Sequence, residues 1–108
     1  TLRALAEELE SKDPSGGARV VTMLSNFTDP SKGARILHQD LRDYDVAVLL
    51  VASDQFAYTG PFLGQSPANL TRMLALNVGA TSALCRYFGE DMAAVGPGRI
   101  LLVGAPSG

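Results

Sequence analysis

Three segments of the chain show the spacing of apolar residues that is typical of amphipathic helices. They cover residues 1–13, 30–41 and 67 to about 94, and in each the apolar side chains recur on one side while charged residues fall elsewhere. The second and third segments are preceded by Asp29 and Ser66, which can cap a helix, and each starts with proline. The pattern therefore predicts three helices, of which the third is the longest.

Three shorter segments are continuously apolar and rich in β-branched residues. They are ARVVTMLSN at residues 18–26, DVAVLLVA at residues 45–52 and RILLVGA at residues 99–105. Strands of this composition are typical of parallel sheets that are covered on both faces. Glycine and proline occur in the connections, including the turn at residues 95–98 that ends the long helix.

The alternating order α-β-α-β-α-β predicts an α/β fold. We expect a partial Rossmann-like three-layer domain over residues 1–108, with a parallel sheet of about three strands flanked by helices. In such sheets ligands bind outside the carboxyl ends of the strands, which are residues 25–26, 52–54 and 104–105 here. A sheet of three strands leaves open edges, so we expect the chain to be part of a larger fold.

Composition and charge exclude several classes of function. The 108 residues are 46% hydrophobic and 19% charged, as in an ordinary globular domain. A net charge of -2 without a cluster of Lys and Arg argues against binding to nucleic acid. There is no signal segment or bilayer-length apolar span, and the single Cys85 cannot form an intramolecular disulfide. The sequence predicts a cytoplasmic protein without a membrane segment, and the isolated His38 and Cys85 predict no metal site.

Short motifs occur in a fixed order along these elements. ARVVTMLSNFTDPS places Asn26 and Phe27 between a strand and a helix, and DVAVLLVASDQFAYTGPF places Ala52 and Ser53 after the next strand. NLTRMLALNVGATSALCRYFGEDM is a long helix carrying Asn77, and GPGRILLVGAPSG is a strand followed by a small-residue turn. Together they resemble the central part of the short-chain dehydrogenase/reductase family, whose members transfer hydride between NAD(P) and a carbonyl or alcohol.

The resemblance implies that Asn26, Phe27, Ala52 and Ser53 contact the cofactor, NAD or NADP. In the family an aspartate at the first of these positions contacts the adenine; an asparagine keeps the hydrogen-bonding groups and loses the charge. The alternative is that Asn26 bonds only to its own turn. Asp54 and Gln55 follow where the family has small residues, and an acidic group repels a pyrophosphate, which predicts weaker cofactor binding.

Asn77 is the one catalytic position that the resemblance carries over. Helical spacing places it on the same side as Leu74 and Leu84, where a buried amide must find hydrogen-bond partners, so by itself it is interpreted as a structural asparagine. The resemblance implies instead that Asn77 holds a water in the family's proton relay. Ala105 stands where the family has a substrate-orienting serine, and it lacks the hydroxyl.

Two parts of the family's machinery are not in the sequence: the Gly-rich turn that holds the pyrophosphate and the Tyr-x-x-x-Lys acid/base pair. We therefore expect a fragment or truncated relative of these enzymes, inactive by itself, with a small carbonyl or alcohol substrate only in a full-length parent.

The second hypothesis is a non-catalytic module for packing or oligomerisation. In the family the long helix often forms a subunit interface, so the resemblance implies a homo-oligomer formed through residues 67–94, with Leu84, Tyr87 and Phe88 on the shared surface. The alternative is that this helix packs only within its own chain.

Overall fold

The structure, a computed structural model, describes residues 1–52 and 60–104. This part of the chain forms four α-helices and two β-strands. They are α1 (Leu2–Ser11), α2 (Pro30–Asp40), β1 (Val48–Val51), α3 (Pro67–Leu74), α4 (Thr81–Val95) and β2 (Arg99–Leu102). A short 3₁₀ turn covers Phe62–Gly64, and a π-helical segment, Ala75–Ala80, joins α3 to α4.

The helices begin where the sequence predicts. Asp29 Oδ1 accepts a hydrogen bond from the Lys32 N–H at 3.2 Å, and Ser66 Oγ accepts one from the Asn69 N–H at 3.1 Å. In each case proline occupies the first turn, where its missing N–H costs no intrahelical bond. Local capping chemistry therefore fixes the starts of α2 and α3.

The sheet is smaller than the sequence predicts. β1 and β2 pair in parallel, with Val48 opposite Arg99 and Val51 opposite Leu102. Residues 18–26, the first predicted strand, form no strand in the described chain. The predicted three-layer Rossmann-like domain, with a parallel sheet of about three strands flanked by helices, is therefore wrong. The described fold is mostly helical and has two short parallel strands.

Two backbone N–H groups of the first predicted strand, those of Ala18 and Val20, donate to side chains and not to a neighbouring strand. The Val20 N–H donates a hydrogen bond to Glu10 Oε1 at 2.6 Å, so α1 rather than a neighbouring strand holds this backbone. A run of β-branched residues shows only that a segment fits a sheet, whereas pairing depends on a strand that the tertiary structure brings alongside. Leu24 is consequently 91% exposed.

The core lies between α2 and α4. Its buried residues are Ala34 of α2 and Leu84, Phe88 and Met92 of α4. α4 also contacts one face of the sheet, where β1 contributes two half-buried side chains. The opposite face of the sheet carries exposed side chains, so the described fold has helices packed on one side of the strands only.

The long helical region from Pro67 to Val95 is interrupted by the π-helical segment. A π turn has i→i+5 hydrogen bonds, so it changes the angular spacing between the helices on either side of it. Within the described residues, no helix has both the length and the hydropathy that crossing a membrane requires.

Candidate functional site

A cavity of about 750 Å³ lies between the turn that precedes α2, the carboxyl end of β1 and the region where α3 passes into α4. Its size is within the range of small-molecule and cofactor sites, roughly 300 to 1,000 Å³. The polar side chains of its described wall are Ser25, Asn26, Thr28, Thr71, Arg72, Asn77 and Thr81. The apolar residues of the described wall include Phe27, Val51 and Leu84. The arrangement is that of an apolar pocket with several convergent polar groups.

A tight turn brings Asn26 and Phe27 to this cavity. Asn26 Oδ1 accepts a hydrogen bond from the Thr28 N–H at 2.9 Å, which is the local bond that the alternative interpretation of Asn26 predicted. Asn26 also lines the cavity, and Phe27 both lines the cavity and packs against the core. Asn26 is therefore held by its turn at the cavity wall.

Gly33 of α2 allows the turn to approach the helix this closely. A Cβ atom at this position would overlap the carbonyl oxygen of Asn26 and would lie 3.0 Å from Cδ1 of Phe27. Gly33 is itself buried. The position of both predicted cofactor residues thus depends on a glycine in the facing helix.

The π-helical segment presents Asn77 to the same cavity. Its side chain is exposed and makes no hydrogen bond with the described residues, although helical spacing predicted a place on the buried side beside Leu74 and Leu84. Leu84 is buried, but Leu74 is 64% exposed. The change of spacing in the π turn explains the difference, because α3 and α4 no longer share one continuous face.

The guanidinium group of Arg72 contributes a positive charge to the cavity wall, and the described residues of the wall include no acidic side chain. Thr71 and Thr81 lie on the same helical wall. The Thr71 hydroxyl donates a hydrogen bond to the Pro67 carbonyl oxygen at 3.0 Å and can still accept one, whereas the Thr81 hydroxyl can donate or accept. The described wall therefore combines one cationic side chain with neutral polar groups.

Sequence reasoning did not assign Arg72, Thr71 or Thr81 to the site, although helical spacing placed Thr81 on the same side as Asn77. The signal that could have assigned them was their spacing from Asn77, because residues four to six positions apart on a helix lie within one or two turns of each other. This signal is weak, because the π turn determines which of these residues lie on the same side of the helical region, and the sequence does not show that turn.

The other residues that the sequence analysis named either lie away from the cavity wall or fall outside the described residues. Ala52 is exposed and does not line the cavity, although the preceding Val51 does. Ser53, Asp54, Gln55 and Ala105 lie outside the described residues. The structure thus brings together three of the predicted site residues, Asn26, Phe27 and Asn77, from two regions separated by about fifty positions in the sequence.

A second polar cluster joins α2 to α4 away from this cavity. His38 Nε2 lies 2.6 Å from Asp91 Oδ2, and the imidazole stacks on Tyr87 with ring centroids 5.2 Å apart. The edge contact with Phe88 has the same centroid distance. Among the described residues, no group of three or more His, Cys, Asp or Glu side chains is arranged to hold a metal ion. His38 thus serves the packing of two helices.

No protein-family model, curated protein or solved structure matches the chain.

Proposed function

We propose that the cavity binds the adenosine part of NAD or NADP, and that the chain is a cofactor-contacting segment related to short-chain dehydrogenases/reductases. The observation that carries the proposal is the meeting of Asn26, Phe27 and Asn77 on one cavity wall. The first two were predicted from a strand end and the third from a helix, and nothing in their sequence spacing requires them to meet. The carboxyl end of β1 lies at the same cavity, where ligands of parallel sheets bind.

The residues present fit the parts of such a cofactor. The Asn26 amide can pair with the edge of an adenine, the Phe27 ring offers an apolar face, and Arg72 can attract a phosphate. A bound nicotinamide cofactor would supply the hydride chemistry. The chain lacks Tyr-x-x-x-Lys, so we expect binding without turnover of a carbonyl or alcohol substrate.

The first prediction concerns cofactor affinity. We expect NADH and NADPH to bind weakly, with a Kd between about 10 μM and 1 mM, because the Gly-rich pyrophosphate turn is not in the sequence. Arg72→Gln should weaken binding about tenfold or more, and Asn77→Ala about threefold to tenfold, as expected for a charged and a neutral hydrogen bond. Cofactor fluorescence and side-chain amide NMR shifts of Asn26 and Asn77 measure both effects.

The control for this titration is Leu63→Ala, since Leu63 is 94% exposed and outside the cavity wall. AMP and nicotinamide mononucleotide, titrated separately, show which half of the cofactor is bound; we expect AMP to shift the Asn26 signals. Equal affinity of all variants, or no shift at millimolar cofactor, would contradict the proposal.

A second candidate function is self-association through the long helical region. Leu84 and Phe88, which the sequence placed on the shared surface, are buried against α2, and Tyr87 stacks on His38. Leu74 and Val78 are exposed one turn apart on the same region and could form such a contact. The homo-oligomer through residues 67–94 stays a prediction, as does the cytoplasmic location that the single cysteine supports.

A further inference from the structure

A single histidine lies in the contact between α2 and α4, outside the described cavity wall. His38 is the only histidine of the 108 residues. Its Nε2 lies 2.6 Å from Asp91 Oδ2, and its ring stacks on Tyr87 and makes a T-shaped contact with Phe88. We call these four side chains the His38 cluster. Because imidazole changes its charge between about pH 5 and 8, the pH can act on helix packing at this cluster.

The contact with Asp91 is stronger when His38 is protonated. A separation of 2.6 Å is at the short end of charge-assisted hydrogen bonds between a nitrogen and a carboxylate oxygen. A neutral imidazole can also donate from Nε2, but the attraction between opposite charges is then lost. The His38 side chain is 23% exposed and the Asp91 side chain 56%, so solvent reduces this attraction without removing it.

Two further features favour the protonated imidazole. His38 lies in the last turn of α2, where the helix dipole stabilises a positive charge. Its ring lies nearly parallel to the Tyr87 ring, at an interplanar angle of 24°, and the face of an aromatic ring attracts a cation. Neither effect depends on Asp91, so three separate interactions strengthen the contact when the imidazole is charged.

Charged residues on α2 and directly after it act in both directions. Arg35 precedes His38 by three positions and Arg42 follows it by four, so both lie about one turn away and oppose another positive charge. Asp40 ends the helix and has the opposite effect. All three side chains are exposed, so solvent screens them more strongly than it screens the half-buried imidazole.

The elements that pack against α2 add no further charge to the cluster. On α4, Arg86 and Glu90 pair with each other at 2.8 Å. The π-helical segment, which also contacts α2, contains no titratable residue. Among the described residues, Asp91 is therefore the carboxylate that contacts the imidazole.

We propose that the His38 cluster is a pH-sensitive contact, in which protonation of His38 holds the end of α2 against α4 and deprotonation loosens it. Because the protonated form makes the stronger contact, its stabilisation is present at low pH and is lost as the pH rises through the titration of the imidazole. The Asn26 turn packs against Gly33 of α2, and α4 contributes Thr81 and Leu84 to the cavity wall. The contact thus joins two elements that position the cavity.

Amide hydrogen exchange of the full chain at about pH 5.5 and about pH 8 tests this proposal. The Leu41 N–H donates to the Leu37 carbonyl oxygen at 3.1 Å and reports opening of the end of α2. After correction for the intrinsic effect of pH on exchange, Leu41 should be protected about twofold to fivefold less at the higher pH, the size expected of a partly exposed ion pair. The Leu70 amide of α3 should show no such change.

Conservative variants assign the change to the two charges. His38→Gln and Asp91→Asn each keep a hydrogen-bonding side chain and remove one charge. His38→Gln should abolish the difference in Leu41 protection, and Asp91→Asn should reduce it by about half or more. Glu90→Gln is the matched control, since Glu90 pairs with Arg86, and it should keep the wild-type difference. Far-UV circular dichroism checks that the variants remain folded.

Three outcomes would overturn the proposal. One is equal protection of Leu41 at both pH values in the wild type. Another is a difference that persists in His38→Gln, which would assign it to another group that titrates in this range, such as the Cys85 thiol. The third is a difference that Asp91→Asn leaves unchanged. These measurements use no ligand, so this proposal and the proposed cofactor binding can fail separately.

Discussion

At the scale of single residues, Gly33 sets the position of the cavity wall. A side chain at this position has no free space, because the Asn26 carbonyl oxygen and the Phe27 ring already occupy it. Any larger residue must displace the turn that carries two predicted cofactor contacts. A substitution at Gly33 therefore affects both the packing of α2 and the position of the turn in the cavity wall.

We predict that Gly33→Ala lowers the free energy of unfolding by about 1 to 3 kcal/mol, as is typical of overpacking. Urea denaturation measures the change through the midpoint of unfolding. Gly79→Ala is the matched control, since its nearest neighbour would lie 3.8 Å from the new Cβ, and it should be neutral or slightly stabilising. Equal stability of Gly33→Ala and the wild type would show that the turn can move without cost.

Asp13 organises the turn that follows α1. Hydrogen bonds from the Ser15 hydroxyl, the Ser15 N–H and the Ala18 N–H lower the pKa of this carboxyl below its usual value, since they favour the ionised form. A pKa that is lower in the folded state gives stability that is present above the unfolded-state pKa. That stability is lost as the pH falls through the folded-state pKa.

We therefore predict that the turn at residues 13–18 loosens below about pH 4. The Ala18 amide should exchange with solvent faster there, relative to reference amides in α4, as measured by NMR. Asp13→Asn should show the faster exchange at neutral pH as well, whereas Asp43→Asn should behave as the wild type. An Ala18 amide that is unaffected by Asp13→Asn would contradict this role.

At the scale of elements, the contact between α2 and α4 is the main source of stability. Phe88 is 3% exposed in the core, and its ring makes a T-shaped contact with the His38 ring. His38 in turn connects α2 to Tyr87 and Asp91 of α4. Only a few side chains are buried in the described residues, so each carries a large share of the stability.

We predict that Phe88→Ala lowers the free energy of unfolding by about 3 to 5 kcal/mol, the usual cost of removing a buried aromatic ring. Native proteins are stable by only about 5 to 15 kcal/mol, so the variant should be close to unfolding at room temperature. Val95→Ala, at a position 75% exposed, should change stability by less than about 0.5 kcal/mol. A small effect of Phe88→Ala in urea denaturation would contradict the central role of Phe88 in the core.

The π-helical segment influences both the packing of the long helical region and the composition of the cavity wall. It turns Asn77 towards the cavity and leaves Leu74 outside the core. A regular helix with the same sequence would have placed Asn77 and Leu84 on one buried side. Such segments occur frequently at functional sites, in agreement with a ligand-binding role for this wall.

At the scale of the whole molecule, the surface is the dominant feature. Leu2, Leu5 and Leu9 of α1 are each about half exposed, as are Val48 and Leu50 of β1. Parallel sheets are ordinarily covered on both faces, so one face of β1 lacks this layer in the described fold. The cavity lies at the carboxyl end of the same strand, at Val51.

The sequence by itself determined the features that depend on neighbouring residues. Asp29 and Ser66 cap their helices as predicted, and the spacing of apolar residues located α1, α2 and both strands that form. Residues 18–26 have strand composition, but pairing requires a second strand alongside, and Glu10 binds the Val20 N–H instead. Only the tertiary structure decided the size of the sheet, the exposure of Asn77 and the meeting of Asn26 with Asn77. Those features depend on contacts between residues far apart in the chain, which local propensity does not encode.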